Sequence, residues 1–189
     1  YDPLFIEQLY PAEETDRRKE LWFSMDGVQG LRYDKNGSLL TEITTNSGDG
    51  GSTATTEIFV EITKFLNPDT GGSSIVINSG NYIVFRLSDA ILLYAEALNQ
   101  LGETGKAMQE VNRIRTRAGA SLLSESSSLD SDIYWERVRE LMGEGQYFYD
   151  LVRTGKLCEE SYTVFGKGGH REKRANFNQG SWTWPIFKG

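Results

Sequence analysis

The chain is poor in the residues that carry covalent and metal chemistry. It has one cysteine, Cys158, and one histidine, His170, in 189 residues. A lone cysteine excludes an intrachain disulfide framework. A lone histidine excludes a histidine-rich metal centre, and because it follows Gly168-Gly169, a Ser-His-Asp triad would have to be built on a loop-like segment. A surface histidine is the expected reading. No Gly-Lys-Ser/Thr phosphate cradle and no paired-glycine fingerprint occurs between a strand and a helix, so nucleotide chemistry is disfavoured and no cofactor is expected. Positive charge is also in deficit: 20 Lys and Arg face 27 Asp and Glu, for a net charge of −7. That balance argues against a nucleic-acid partner, whose phosphates need clustered cations. The basic runs at Arg113/Arg115/Arg117 and at His170 to Arg174 read as solvated surface or ion-paired helix. No apolar run approaches the roughly 20 residues that span a bilayer. Tyr1 is neither an initiating methionine nor the start of a signal peptide, as expected of a processed or truncated chain.

What is present is ordinary for a globular protein: 38% hydrophobic and 25% charged residues, over a length that suits one domain. The organising stretch is Arg86 to Gly119. Leu87, Ile91, Tyr94, Ala95, Leu98 and Leu101 recur at spacings of three and four, which predicts one buried face of a helix ended by Gly102. A second helix starts after Thr104 as N-cap and lines up Ala107, Met108, Val111, Ile114 and Ala118 before Gly119 stops it. The connection is too short for anything but an antiparallel hairpin. Ala95, Ala97 and Ala118 let the two helices approach closely, in the manner of tetratricopeptide-type pairs. One such pair cannot bury its apolar faces alone.

Elsewhere the pattern is looser. Leu4, Phe5, Ile6, Leu9 and Tyr10 form an apolar strip that Pro11 breaks. Glu13 to Phe23 reads as a short helix or turn feeding a strand. From Met25 to Thr56 the chain is dense in Gly, Ser, Thr and Asn, with extended pieces near 30–33 and 38–44 around a Lys35-Asn36-Gly37 turn, and Asn46 to Thr56 is expected to be a loop. Strands are predicted over 58–66, 74–77 and 82–85. Ser121 to Ser131 reads as a linker, Asp132 to Met142 and Tyr147 to Val152 as helices, and the remainder from Leu157 as mostly loop.

Chemistry is equally sparse. Glu140 with Glu144, or Glu136 with Asp150, has the makings of an acid–base pair for a glycosidic bond. The neighbouring arginines point instead to a structural ion network of Arg113, Arg117, Arg137, Glu140, Glu144, Asp150 and Arg153 that fixes helix register. Aromatics make up 12% of the chain. Rings that stack on sugar C–H faces, beside amides that bind hydroxyls, would suit carbohydrate, and Trp22, Tyr33, Asn36, Asn81 and Tyr82 are the candidate ligand residues. A packed core tryptophan beside Leu21 and Phe23 is the competing reading of Trp22.

RLSDAILLYAEALNQLG, the hairpin to VNRIRTRAG, and ERVRELMGEGQYFYDLVRTGKL together resemble, in order and spacing, the C-terminal part of the SusD/RagB family of nutrient-binding outer-membrane proteins. DRRKELWF and the closing SWTWPI add to the resemblance, which spans nearly the whole chain. It implies a mainly α fold: a loop-rich, partly extended variable region over 1–85, a tetratricopeptide-like helical scaffold over 86–156 and a C-terminal loop region over 157–189. These together form one C-terminal domain of a longer protein. It further implies a lipoprotein at the surface of the outer membrane, held there by an N-terminal lipid anchor that this chain does not carry. Such a protein binds oligosaccharide or polysaccharide without cleaving it and caps a SusC-like TonB-dependent transporter. The helices would be scaffold and transporter-facing side, with ligand residues between Trp22 and Tyr82. The alternatives are a helical-repeat adaptor for a protein partner and a glycoside hydrolase.

Overall fold

In the computed structural model the described residues are 3–24, 42–45, 54–57, 61, 62, 64, 84–124, 128–159 and 174–180. The chain divides into two compact units, Tyr1–Glu144 and Gly145–Gly189.

The first unit is built on three helices, α3 (Leu87–Gln100), α4 (Thr104–Ala118) and α5 (Leu129–Leu141). Glycines set the ends of the first two. Gly102 (φ 80°) and Gly119 (φ 68°) sit in the left-handed region that a side chain disfavours. There the backbone folds back, with Glu103 N–H donating to the Leu98 carbonyl and Ala120 N–H to the Arg115 carbonyl, both at 2.9 Å. The N-cap of α4 is Glu103, which makes no side-chain capping bond, and Thr104 is already helical. The core fills with Leu92, Ala95 and Leu98 of α3, Ala107, Val111 and Ile114 of α4, and Leu129 and Ile133 of α5. Each buried Leu, Ile or Val contributes about 1.5–3 kcal/mol by leaving water.

Two expectations about this hairpin need correction. The buried face of α3 is Ser88, Asp89, Leu92, Ala95 and Leu98, whereas Leu87, Tyr94 and Leu101 are 72%, 55% and 78% exposed. Periodicity could not choose between the faces because both are apolar. Polar anchors chose: Asp89 pairs with Arg137 of α5 at 2.8 Å, and the Ser88 hydroxyl accepts from Arg86 and Arg117. The linker is also shorter than expected, since α5 begins at Leu129, itself buried. Its start is tethered by Asn112, whose side-chain amide donates to the Leu123 carbonyl and accepts from Leu123 N–H, both at 2.9 Å.

The N-terminal strip is a helix, α1 (Pro3–Leu9), which buries Phe5, Ile6 and Leu9. It is locked to α5 by a reciprocal pair: Tyr10 Oη donates to the Arg139 carbonyl and Arg139 Nε to the Leu9 carbonyl, each at 2.8 Å. Next comes α2 (Arg17–Trp22), capped by Asp16, whose carboxylate accepts from Arg18 N–H at 3.0 Å. It feeds directly into β1 (Phe23–Ser24). Two small antiparallel ladders follow. In one, β2 (Glu42–Thr45) pairs with β3 (Ala54–Glu57) from Glu42↔Glu57 to Thr45↔Ala54. In the other, β1 pairs with β4 (Glu61–Ile62), Phe23 opposite Ile62. Residues 54–56, expected as loop, are therefore strand, because the Thr-rich run finds a partner in Glu42–Thr45. Within the expected strand over 58–66, the described extended residues are 61 and 62. The expected extended pieces at 30–33 and 74–77 lie outside the described residues, and residues 84 and 85 are not strand.

The second unit contains α6 (Gln146–Arg153), a 3-10 turn at Lys156–Cys158 and a short helix, Arg174–Asn178. Asp150 and Leu151 of α6 are buried. Among the described residues, no helix is long and apolar enough to cross a membrane.

Candidate functional site

Helix α5 places Glu136 and Glu140 four residues apart on its inner face, and Glu144 continues the row just past its end. Burying this row requires partners, because an unpaired carboxylate inside a protein is prohibitively costly. The cations come from four separate places in the sequence. Arg18 of α2 reaches Glu136 at 2.7 Å and Glu140 at 3.0 Å, and is itself held by Asp16 at 2.6 Å. Arg115 of α4 pairs with Glu136 at 2.9 Å, and Arg117 with Glu140. Arg86, just ahead of α3, pairs with Glu140 and forks onto Glu144 at 2.8–3.0 Å. Lys64 pairs with Glu144 and donates to the carbonyls of Glu140 and Met142 at the end of α5. Arg86 donates to the Glu140 carbonyl as well. Two cations thus face the negative end of the α5 dipole.

The electrostatics follow from this crowding. Burial alone pushes the Glu140 carboxyl up, but Arg86 and Arg117 outweigh it and bring the group down to about 2 from 4.5. Burial raises Glu144 too, and Arg86 with Lys64 again wins, holding it below its usual range. For Lys64 the balance falls the other way: burial dominates its attraction to Glu144 and lowers the ammonium to about 8. Arg18 is held charged, Asp16 and Glu136 overcoming the opposing effect of burial.

The network named from sequence therefore divides. Arg117, Glu140 and Glu144 are brought together, and Arg137 sits beside them on α5 with Asp89 as partner. Arg113 lies on the exposed side of α4 and pairs with Glu110 of the same helix, so it does not join the buried row. Within α6 of the second unit, Asp150 pairs with Arg153 at 2.7 Å. The set named from sequence lacks Asp16, Arg18, Lys64, Arg86, Arg115 and Glu136. Asp16 and Arg18 were marked only as part of DRRKELWF, and nothing local to Lys64 or Arg86 signals a partner 54 to 80 residues away.

Of the candidate ligand residues, Trp22 is half-buried at the end of α2, and the Lys64 ammonium lies 4.0 Å over its ring. That ring face is occupied by a cation. Tyr33, Asn36, Asn81 and Tyr82 lie outside the described residues. Among the described residues, no group of His, Cys, Asp and Glu could hold a metal ion. The Glu140–Glu144 arrangement is a poor acid–base pair: both carboxylates are kept ionised and accept from fixed cations, so neither has a proton to donate at neutral pH.

The network draws cations from separated stretches onto one helix: Arg18 ahead of Trp22, Lys64 beside the β1–β4 ladder, and Arg86 just ahead of α3.

Comparison with known proteins agrees with this architecture. Residues 9–188 match the model of the SusD family. SusD-like protein P38 of Formosa agariphila is 39% identical over 122 residues, which are 59% of this chain and 22% of that protein. SusD-like protein P25 of the same organism is 39% identical over 107 residues, 53% of this chain and 20% of that one. A crystal structure of a SusD homologue from Bacteroides thetaiotaomicron superposes on 98% of this chain with a TM-score of 0.72 and 43% identity, and the match covers 35% of its own length. The chain thus spans between a fifth and about a third of these relatives.

Proposed function

We propose a function from a premise that the match over residues 9–188 establishes: this chain belongs to the SusD family. It is part of a surface protein that captures oligosaccharide or polysaccharide nutrients without cleaving them and delivers them to a SusC-like TonB-dependent transporter in the outer membrane. The complete protein is held at that membrane by an N-terminal lipid anchor. The observation that carries this reading is the family match, reinforced by 43% identity to a SusD homologue of the same fold. The geometry agrees with it. The buried carboxylates are committed to arginines and Lys64 and serve a scaffold, and the family resemblance implies ligand contacts in the segment between Trp22 and Tyr82. Trp22, Tyr33, Asn36, Asn81 and Tyr82 are the candidates, and Trp22 can offer a sugar only the ring face that Lys64 does not cover.

The test is calorimetric titration of the polypeptide, as its gene encodes it, against starch, xylan, pectin and alginate oligosaccharides, with a parallel assay for released reducing ends. Saturable binding to one class without new reducing ends is expected. Release of reducing ends that Glu140→Gln abolishes in a still-folded protein would establish a hydrolase instead. If Trp22 or Tyr82 stacks on the sugar, its change to alanine weakens binding by about 1–3 kcal/mol, by analogy with stacking on bases.

A further inference from the structure

Lys64 meets the end of α5 with its ammonium turned inward. It donates to the carbonyls of Glu140 at 2.7 Å and Met142 at 3.3 Å, pairs with the Glu144 carboxylate, and lies 4.0 Å over the Trp22 ring. Its side chain is buried, as is that of Glu144. An ammonium has three N–H groups, and three oxygens at the end of α5 take them up. A neutral amine has two N–H groups and a lone pair, so it can serve only two of those oxygens.

Charge is in excess at this spot. Glu144 carries one negative charge and meets two cations, Lys64 and Arg86. Arg86 also pairs with Glu140, which Arg18 and Arg117 already engage. Of these four cations the lysine alone can release a proton, because a guanidinium stays protonated in proteins. Arg86 is placed to hold Glu144 without help: its Nε lies 3.0 and 2.9 Å from the two carboxylate oxygens, and its Nη2 2.8 Å from one of them.

We propose that Lys64 is a proton switch at the end of α5. Charged, it shares Glu144 with Arg86 and lays a cation on the Trp22 ring. Neutral, after its proton has passed to solvent, it keeps the two carbonyls, yields Glu144 to Arg86 and leaves Trp22 facing an uncharged amine. The charged groups that act on it are Glu144 and Glu140 of the α5 end and Arg86 ahead of α3. Burial outweighs them and brings the ammonium down to about 8 from 10.5, so both forms are populated in weakly alkaline water. The folded chain holds this proton less tightly than the unfolded chain does. The contribution of Lys64 to stability therefore rises as pH goes from about 8 towards 10.5. The switch is independent of what the protein binds and stands or falls apart from the glycan reading.

The experiment follows tryptophan emission of the polypeptide, as its gene encodes it, from about pH 6.5 to 9.5, below the ordinary range of tyrosine ionisation. A one-proton transition centred near pH 8 is expected. Trp22→Phe should remove it, which assigns the signal to that ring. Lys64→Arg, charged throughout, should hold the low-pH emission across the range, and Lys64→Met the high-pH emission. A transition that survives Lys64→Arg, or none in the unaltered protein, overturns the proposal. A second reading needs no variant to fold: with 13C-labelled lysine, one Cε resonance of the unaltered protein should titrate near pH 8, while ordinary lysines titrate above about pH 10. If every lysine resonance titrates above pH 9.5, the switch does not exist.

Discussion

Glu140→Gln is the sharpest perturbation of the ion network, because glutamine keeps the shape and removes the charge that three guanidinium groups address. Glu140 is fully buried and receives Arg18, Arg86 and Arg117. Its pKa is depressed in the folded chain, from 4.5 to about 2. Stability from this group is therefore complete above pH 4.5 and lost as pH falls towards 2. That gap corresponds to about 3 kcal/mol of folding free energy at neutral pH. Breaking a buried ion pair from one side costs about 3–5 kcal/mol by mutational experience, since the remaining charges stay desolvated. The two routes agree, so Glu140→Gln should destabilise by about 3–5 kcal/mol. With a urea dependence of about 2 kcal/mol per M, the unfolding midpoint at pH 7 falls by roughly 1.5–2.5 M. Two controls sharpen the reading. Glu110→Gln, which breaks an exposed pair with Arg113, should cost less than about 1 kcal/mol. Glu140→Gln should also lose part of the acid sensitivity of the parent between pH 5 and 2, while Glu144 retains its share. A midpoint shift under about 0.5 M, or an acid profile identical to the parent, would refute the assignment of Glu140 as the hub.

Leu92 is fully buried between α4 and α5, so Leu92→Ala should leave a cavity and cost about 2–5 kcal/mol, read as a lowered urea midpoint. Gly119→Ala forces a side chain into φ 68° and brings its Cβ to 3.1 Å from Arg17 Cδ. A loss of about 1–2 kcal/mol in thermal unfolding is expected, and a gain would contradict the capping role given to this residue. Gly102→Ala, at φ 80° with open space around it, isolates the backbone part of that penalty and should cost about 1 kcal/mol.

Glu140 and Glu144, spaced one helical turn apart, are engaged by Arg18, Arg86, Arg117 and Lys64, so folding commits them to holding separate stretches of the chain together.

By itself the sequence determined the local structure of the helical half. Gly102 and Gly119 end α3 and α4 because they reach left-handed backbone freely, the three-residue connection folds the pair back, and the apolar spacing of α4 buries Ala107, Val111, Ile114 and Ala118, with Met108 partly buried beside them. Glu140 and Glu144, one turn apart beside neighbouring arginines, also point in sequence to an ion network on this helix. Tertiary structure decided which side of α3 turns inward, since both sides carry apolar residues at helical spacing and a period has no sign. It decided too which cations meet the carboxylate row. Arg18, Lys64 and Arg86 lie between 54 and 122 residues from their partners. Such pairings come from closure of the whole chain, where the demand to neutralise buried charge selects among many arginines that look alike in sequence.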